Sequence, residues 1–152
     1  MKQQETVDYF LKIVWQNVSN TYNQIASGFG ITQAIGYVLI NIHAEGTTVS
    51  ALAGLLGVKA TSLSRMLNNM EELGLIYREI AAGDKRSVKV FLTPFGVEKR
   101  KLARNVVVSF NEYLNEKLSA KEKEQLIATL SKVNQLTLAY SPVKDHDEQK
   151  DK

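Results

Sequence analysis

The sequence predicts a mostly α fold with a small β-hairpin wing, and three observations carry that prediction. Apolar residues recur every three or four positions over most of the chain, the period of helices with one covered face. Two short runs, Leu75 to Ile80 and Val88 to Leu92, have the β-branched and aromatic composition of strands. Between Thr48 and Gly74, two helical patterns are separated only by Gly57-Val58-Lys59, as in a helix-turn-helix. The expected architecture is a winged helix-turn-helix with N- and C-terminal helices that pair two copies of it.

The first helix is expected from Thr6 to Ile25. Val7, Phe10, Leu11, Val14, Val18, Tyr22 and Ile25 form one stripe, which Trp15 widens. That apolar face is broad for a terminal segment, which points to burial against a second subunit as well as against its own domain. Ser27-Gly28-Phe29-Gly30 breaks the pattern. Thr32 can cap the next helix, about Gln33 to His43, with Ile35, Val38, Leu39 and Ile42 inward. His43 then falls near a helix end, where a cation suits the dipole. Glu45-Gly46-Thr47 reads as a turn.

Thr48 is placed to cap a short helix, Val49 to Leu56. Leu52, Ala53 and Leu56 point to one side, with a small residue where two helices would cross. Gly57 supplies the positive φ of a tight turn. Val58, Leu63 and Met66 are expected on the inner face of the second helix, Ala60 to Leu73. Its other side carries Thr61, Ser62, Ser64, Arg65, Asn68 and Asn69. Such side chains hydrogen-bond to base edges: Arg suits guanine, Asn suits adenine, Ser and Thr suit either. Lys59 stands at the cap position, where it opposes the dipole but could meet a phosphate.

The strands are joined by AAGDKRS, in which Gly83-Asp84 marks a turn. Lys85, Arg86 and Lys89 would let the hairpin reach an adjacent minor groove, with Asp84 bracing Arg86. Thr93-Pro94 starts a long helix, Thr as cap and Pro at the first helical position, with Gly96 permitting close packing. A basic run, Lys99-Arg100-Lys101 with Arg104, follows, and the helix continues to about Leu118. Ser119-Ala120-Lys121-Glu122 fits a capping box. The last helix has Leu126, Leu130, Val133, Leu136 and Tyr140 in its stripe. The charged segment 141–152 is expected to be disordered.

Composition narrows the function. The chain has 152 residues, enough for one domain, expected over residues 1–140. Within it the reading unit covers about 33–93, and the pairing helices about 5–27 and 94–140. No apolar run approaches the roughly 18 residues of a membrane helix. MKQQETVDYF lacks a signal peptide's apolar core. A cytoplasmic protein with no membrane partner is expected. There are no cysteines, which excludes disulfides and thiolate metal sites, and the two histidines, His43 and His146, are too few for a histidine-rich site. No metal or cofactor is expected. Ten Lys/Arg and five Asp/Glu lie between Lys59 and Arg104, a net of +5, whereas the remainder nets −2. Positive charge concentrated in and just after the reading unit suits a polyanion. No nucleophile sits with a base and no phosphate loop or metal spacing occurs, so an enzyme is not expected.

The run from Asp84 to Gly96, DKRSVKVFLTPFG, resembles the wing signature of the MarR family of bacterial transcription regulators. Asp84, Arg86, Leu92, Thr93 and Gly96 match it, and LSRMLNNMEELGLI resembles that family's recognition helix and exit strand. The resemblance spans about residues 5 to 140. It implies a homodimer held through Val7, Phe10, Val14, Phe110, Leu130, Val133 and Tyr140. It implies binding to a pseudo-palindromic double-stranded DNA operator, usually as a repressor. It also implies release by a small, often aromatic or anionic, effector in a cleft for which Tyr22, Tyr37 and Arg100 are candidates. With no cysteine and two histidines, the family's thiol-oxidation and zinc-sensing variants are excluded. Lys59 departs from the usual cap. The alternative is a protein-interaction or adaptor module, since winged helices also serve that use.

Overall fold

A computed structural model describes residues 6–80 and 88–141. The chain forms α1 (Val7–Ser27), α2 (Gln33–Ile40), β1 (Thr47–Thr48), α3 (Val49–Leu56) and α4 (Ala60–Glu72). Then follow β2 (Ile76–Ile80), β3 (Val88–Leu92), α5 (Pro94–Lys117) and α6 (Ala120–Ala139). Contacts divide the chain into two compact units, the first ending at Ser109 within α5.

In the first unit the core is built from α2, α3, α4 and the sheet. Val38, Leu39, Leu52, Leu63, Leu67, Met70 and Val90 are wholly buried there. The helix starts use the expected caps. The Thr32 hydroxyl accepts the Ile35 amide and the Thr48 hydroxyl accepts that of Ala51, each satisfying one of the amides a helix start leaves unpaired. The strands β2 and β3 pair antiparallel from Ile76 opposite Leu92 to Ile80 opposite Val88.

Three features differ from the sequence reading. Thr47, expected in a turn, belongs to a third strand: β1 pairs with β3, Thr47 opposite Val90, giving the order β1-β3-β2. Two residues carry no periodicity, so only their partner reveals them as a strand. The helix expected to reach His43 stops at Ile40. The buried Thr47 hydroxyl donates to the Asn41 carbonyl and accepts the His43 amide, drawing the backbone out of the helix. His43 is therefore in the connection, not at a helix end. On α4 the wholly buried residues are Leu63, Leu67 and Met70, while half-buried Met66 packs against that core as expected and Val58 is exposed. The wholly buried stripe follows the 63–67–70 spacing, one turn further along than expected.

Gly96 lies in the first turn of α5 against the end of the α4–β2 connection. A Cβ there would sit 1.9 Å from the Leu75 carbonyl oxygen. The Thr93 amide donates to that same carbonyl, and the Thr93 hydroxyl donates to Gly74 and accepts from the Gly96 amide. Thr93 thus caps α5 and ties it to the preceding turn.

The second unit contains the end of α5 and α6. Ser119 and Glu122 form the capping box in full, and Lys123 donates to the Asn115 side chain at 2.8 Å. No described residue of α6 is buried. Leu126, Ile127, Leu130, Leu136 and Tyr140 are exposed, and so are Val7, Phe10, Val14 and Trp15 on α1. Residues 142–152 lie outside the described residues.

Candidate nucleic-acid interface

The helix pair α3–α4 is set by one backbone feature. Gly57 ends α3 with φ 61°, its amide bonded back to the carbonyls of Ala53 and Gly54. Only three residues then separate the two helices, and half-buried Ala53 packs against the core beside the turn. A left-handed cap of this kind costs glycine nothing sterically.

Burial of Leu63, Leu67 and Met70 fixes the rotation of α4. It leaves Thr61, Ser62, Ser64, Arg65, Asn68 and Asn69 exposed, as expected from the sequence. The face is rich in hydroxyl and amide groups, with Arg65 its one cation and Glu72 and half-buried Glu71 at the far end. Lys59 precedes the helix, exposed, and makes no side-chain cap. Lys59 thus stands at the start of α4, where the amides a helix start leaves unpaired and a lysine together suit a phosphate.

Asn68 is not free on this face. Arg78, on β2, donates from Nη2 to Asn68 Oδ1 at 2.8 Å and to the Glu71 carboxylate. The hydrogen bond from Arg78 holds the Glu71 carboxyl below its ordinary range, and the same contact raises the Arg78 guanidinium. Sequence reasoning missed Arg78. Its signal was a cation on the strand face that Ile76 turns inward, where a charge needs an acid partner.

The other basic residues divide. Lys89, on β3, is half-buried with its ammonium 3.5 Å from the Glu45 carbonyl. Lys99 donates to the Phe29 carbonyl at 2.7 Å and lies over the Phe95 ring. Arg100 donates to the Ile42 carbonyl at 2.9 Å. These last two tie α5 to the connections on either side of α2, and of the basic run Lys101 and Arg104 face solvent. Asp84, Lys85 and Arg86 lie outside the described residues.

The first unit also holds an open cavity of about 240 Å³ between α1, α2 and α5. Tyr22 and Tyr37, singled out in the sequence, line it. Arg100 does not. Trp15, Phe29, Gln33 and Val106 line it as well, and the lining is overwhelmingly apolar. Burial raises the Tyr22 hydroxyl above its ordinary value, so it stays protonated at neutral pH. Trp15 could have been found from sequence, because it lies two helical turns before Tyr22 on the same face of α1.

A family model described as the MarR family matches residues 29–87. The chain is 29% identical over 105 residues to a Thauera aromatica protein described as a transcriptional regulatory protein for the hcr operon. That match covers 68% of this chain and 63% of the relative, less than two thirds of its length. Among solved structures, the chain is similar to the S. aureus MepR–DNA complex, with a TM-score of 0.81 and 26% identity. That likeness covers 87% of this chain and 98% of the other. It is also similar to a mutant MarR from E. coli complexed with operator DNA, at a TM-score of 0.77 and 28% identity, covering 88% and 98%.

Proposed function

We infer that the chain is a member of the MarR family and a transcription regulator, a homodimer that binds a pseudo-palindromic operator and represses the gene beside it; the family-model match and the similar structures support this. The observation that carries this reading is the exposed face of α4. Thr61, Ser62, Ser64, Arg65 and Asn68 stand over a wholly buried stripe and behind a glycine turn. That face offers the donors and acceptors a major groove requires. The similar structures that hold DNA support it.

Two copies are needed to set two recognition helices roughly 34 Å apart, one turn of DNA. The exposed apolar stripes of α1 and α6 support such pairing, with Val7, Phe10, Val14, Phe110, Leu130, Val133 and Tyr140 in the interface. Isolated apolar side chains on a surface need no explanation, but two helix-long stripes do. Affinity comes from phosphate contacts by Lys59, Lys85, Arg104 and the first amides of α4. Arg86 enters the minor groove as the wing arginine, with Asp84 positioning it. On this reading the protein acts in the cytoplasm, where a bacterial chromosome lies, as a regulator and not an enzyme.

Release by an effector fits the cavity between α1, α2 and α5. A ligand lowers DNA affinity only if it prefers a dimer whose helix spacing no longer fits. The apolar lining favours an aromatic compound over an anion, because Arg100 is committed to the Ile42 carbonyl.

The test is binding of the purified protein to its own upstream intergenic DNA across a salt series. A footprinted site with a steep salt slope is the expected result. Arg86→Ala should weaken it with little loss of fold. Weak binding, equal on random DNA, would instead favour an adaptor role.

A further inference from the structure

The contact between Arg78 and the recognition helix bears on which base the helix reads, given the reading that α4 enters a major groove. One terminal nitrogen, Nη2, carries two hydrogens, and Asn68 and Glu71 take both. The two acceptors are three residues apart on α4, so one guanidinium from the sheet grips consecutive turns of the helix. The grip also orients the Asn68 amide. Arginine has no acceptor, so the carbonyl end of that amide faces Arg78 and the NH2 end faces away.

This changes what Asn68 offers a base. An unrestrained asparagine shows a donor and an acceptor side by side, the pair that matches adenine N6 and N7. With its oxygen held back toward β2, Asn68 shows donors. Among base edges in the major groove, guanine presents two adjacent acceptors, O6 and N7, and no donor. Asn68 also lies on the same face as Thr61, Ser64 and Arg65, at helical spacings of three and four, so it approaches the same groove. We propose that Arg78 is a specificity-positioning residue: by holding the Asn68 carbonyl, it makes Asn68 read guanine in place of adenine at its operator position.

The test uses the full-length protein and a random-sequence DNA duplex library, with selection and sequencing. Four proteins are compared: wild type, Arg78→Met, Asn68→Ala and the double variant. Asn68→Ala should erase base preference at one position in each half-site and so identify it. There the wild type should prefer guanine. Arg78→Met should move the guanine-to-adenine ratio toward adenine by on the order of fivefold to tenfold, the worth of one good base contact. The double variant should behave as Asn68→Ala alone. Arg78→Lys keeps a charge opposite Glu71 but lacks the planar fork, and should show the same shift in a protein with its ion pair retained. In DNA-free protein, the Asn68 side-chain NH2 signals should sharpen in both Arg78 variants as the amide gains freedom.

Equal loss of binding to every sequence in both Arg78 variants would overturn the proposal, because a merely structural brace does that. So would a wild-type preference for adenine, or a shift that persists without Asn68. If the wild type enriches no sequence at all, the functional reading falls and this inference with it.

Discussion

Replacing Gly96 by alanine tests the join between the long helix α5 and the reading unit. Gly96 is an ordinary helical glycine in φ, so alanine meets no backbone penalty there. The obstacle is contact. The new Cβ would lie 1.9 Å from the Leu75 carbonyl oxygen and 2.9 Å from its carbon, where 3.4 Å begins ordinary contact. Something must move by about 1.5 Å, and the obstructing atoms are backbone. That carbonyl accepts the Thr93 amide, so displacing it also disturbs the α5 cap. Overpacking of this kind costs about 1–3 kcal/mol, and a rigid backbone neighbour puts it at the upper end. Alanine returns up to about 1 kcal/mol through its helix propensity. The net expectation is a loss of about 2 kcal/mol, or about 4–8 °C in melting temperature for a chain of this size. Gly54→Ala is the control. Gly54 is also helical, but its added Cβ meets nothing within 4 Å. That variant keeps the propensity gain alone and should melt about 2–4 °C higher. The assay is thermal unfolding by circular dichroism at one matched protein concentration, so that self-association is held equal between variants. If Gly96→Ala melts at or above the wild type, the close approach does not constrain the join and the argument fails.

Three further predictions concern charge and the cavity. Lys59→Ala should weaken binding to all DNA sequences alike and reduce the log–log salt slope by about 0.9, the signature of one lost phosphate contact; an unchanged slope would remove Lys59 from the interface. Because Arg78 holds the Glu71 carboxyl below its ordinary value of 4.5, the pair's stabilisation is complete above that value and lost as pH falls through the lowered one. Urea unfolding of wild type and Arg78→Met should therefore differ near neutral pH and converge in acid, and a gap that widens in acid would reverse the sign of the argument. Trp15 is the chain's one tryptophan and lines the cavity. A neutral fused-ring aromatic should change its emission saturably, whereas a carboxylate of the same size should bind less tightly; an apolar cavity of about 150 Å³ already accepts benzene. Tighter binding of the carboxylate would mean a cation reaches the site.

Much of the reading unit was legible in the sequence because its determinants are local. Thr32, Thr48 and Ser119 cap helices through amides three residues away, and Gly57 makes its turn with its own φ. Buried Leu63 implies an exposed Ser64 and Arg65 by helical geometry alone. The match between the expected and observed polar face of α4 has that origin. The sequence by itself determined the helix-turn-helix, the paired strands of the wing and the polar residues exposed on α4.

The tertiary structure decided what depends on partners far along the chain. Thr47 becomes a strand only beside Val90, and its hydroxyl ends α2 early. Arg100 spans 58 residues to reach the Ile42 carbonyl, and Lys99 spans 70 to reach Phe29. A basic run that reads in sequence as one patch is thereby split, two residues turned to brace the fold and two left to solvent. The grip of Arg78 on Asn68 joins a strand to a helix across ten residues. A lysine or arginine carries the same charge in every context. Which carbonyl or carboxylate lies within reach of its long side chain is set by packing, and packing decides whether it serves the fold or meets a ligand.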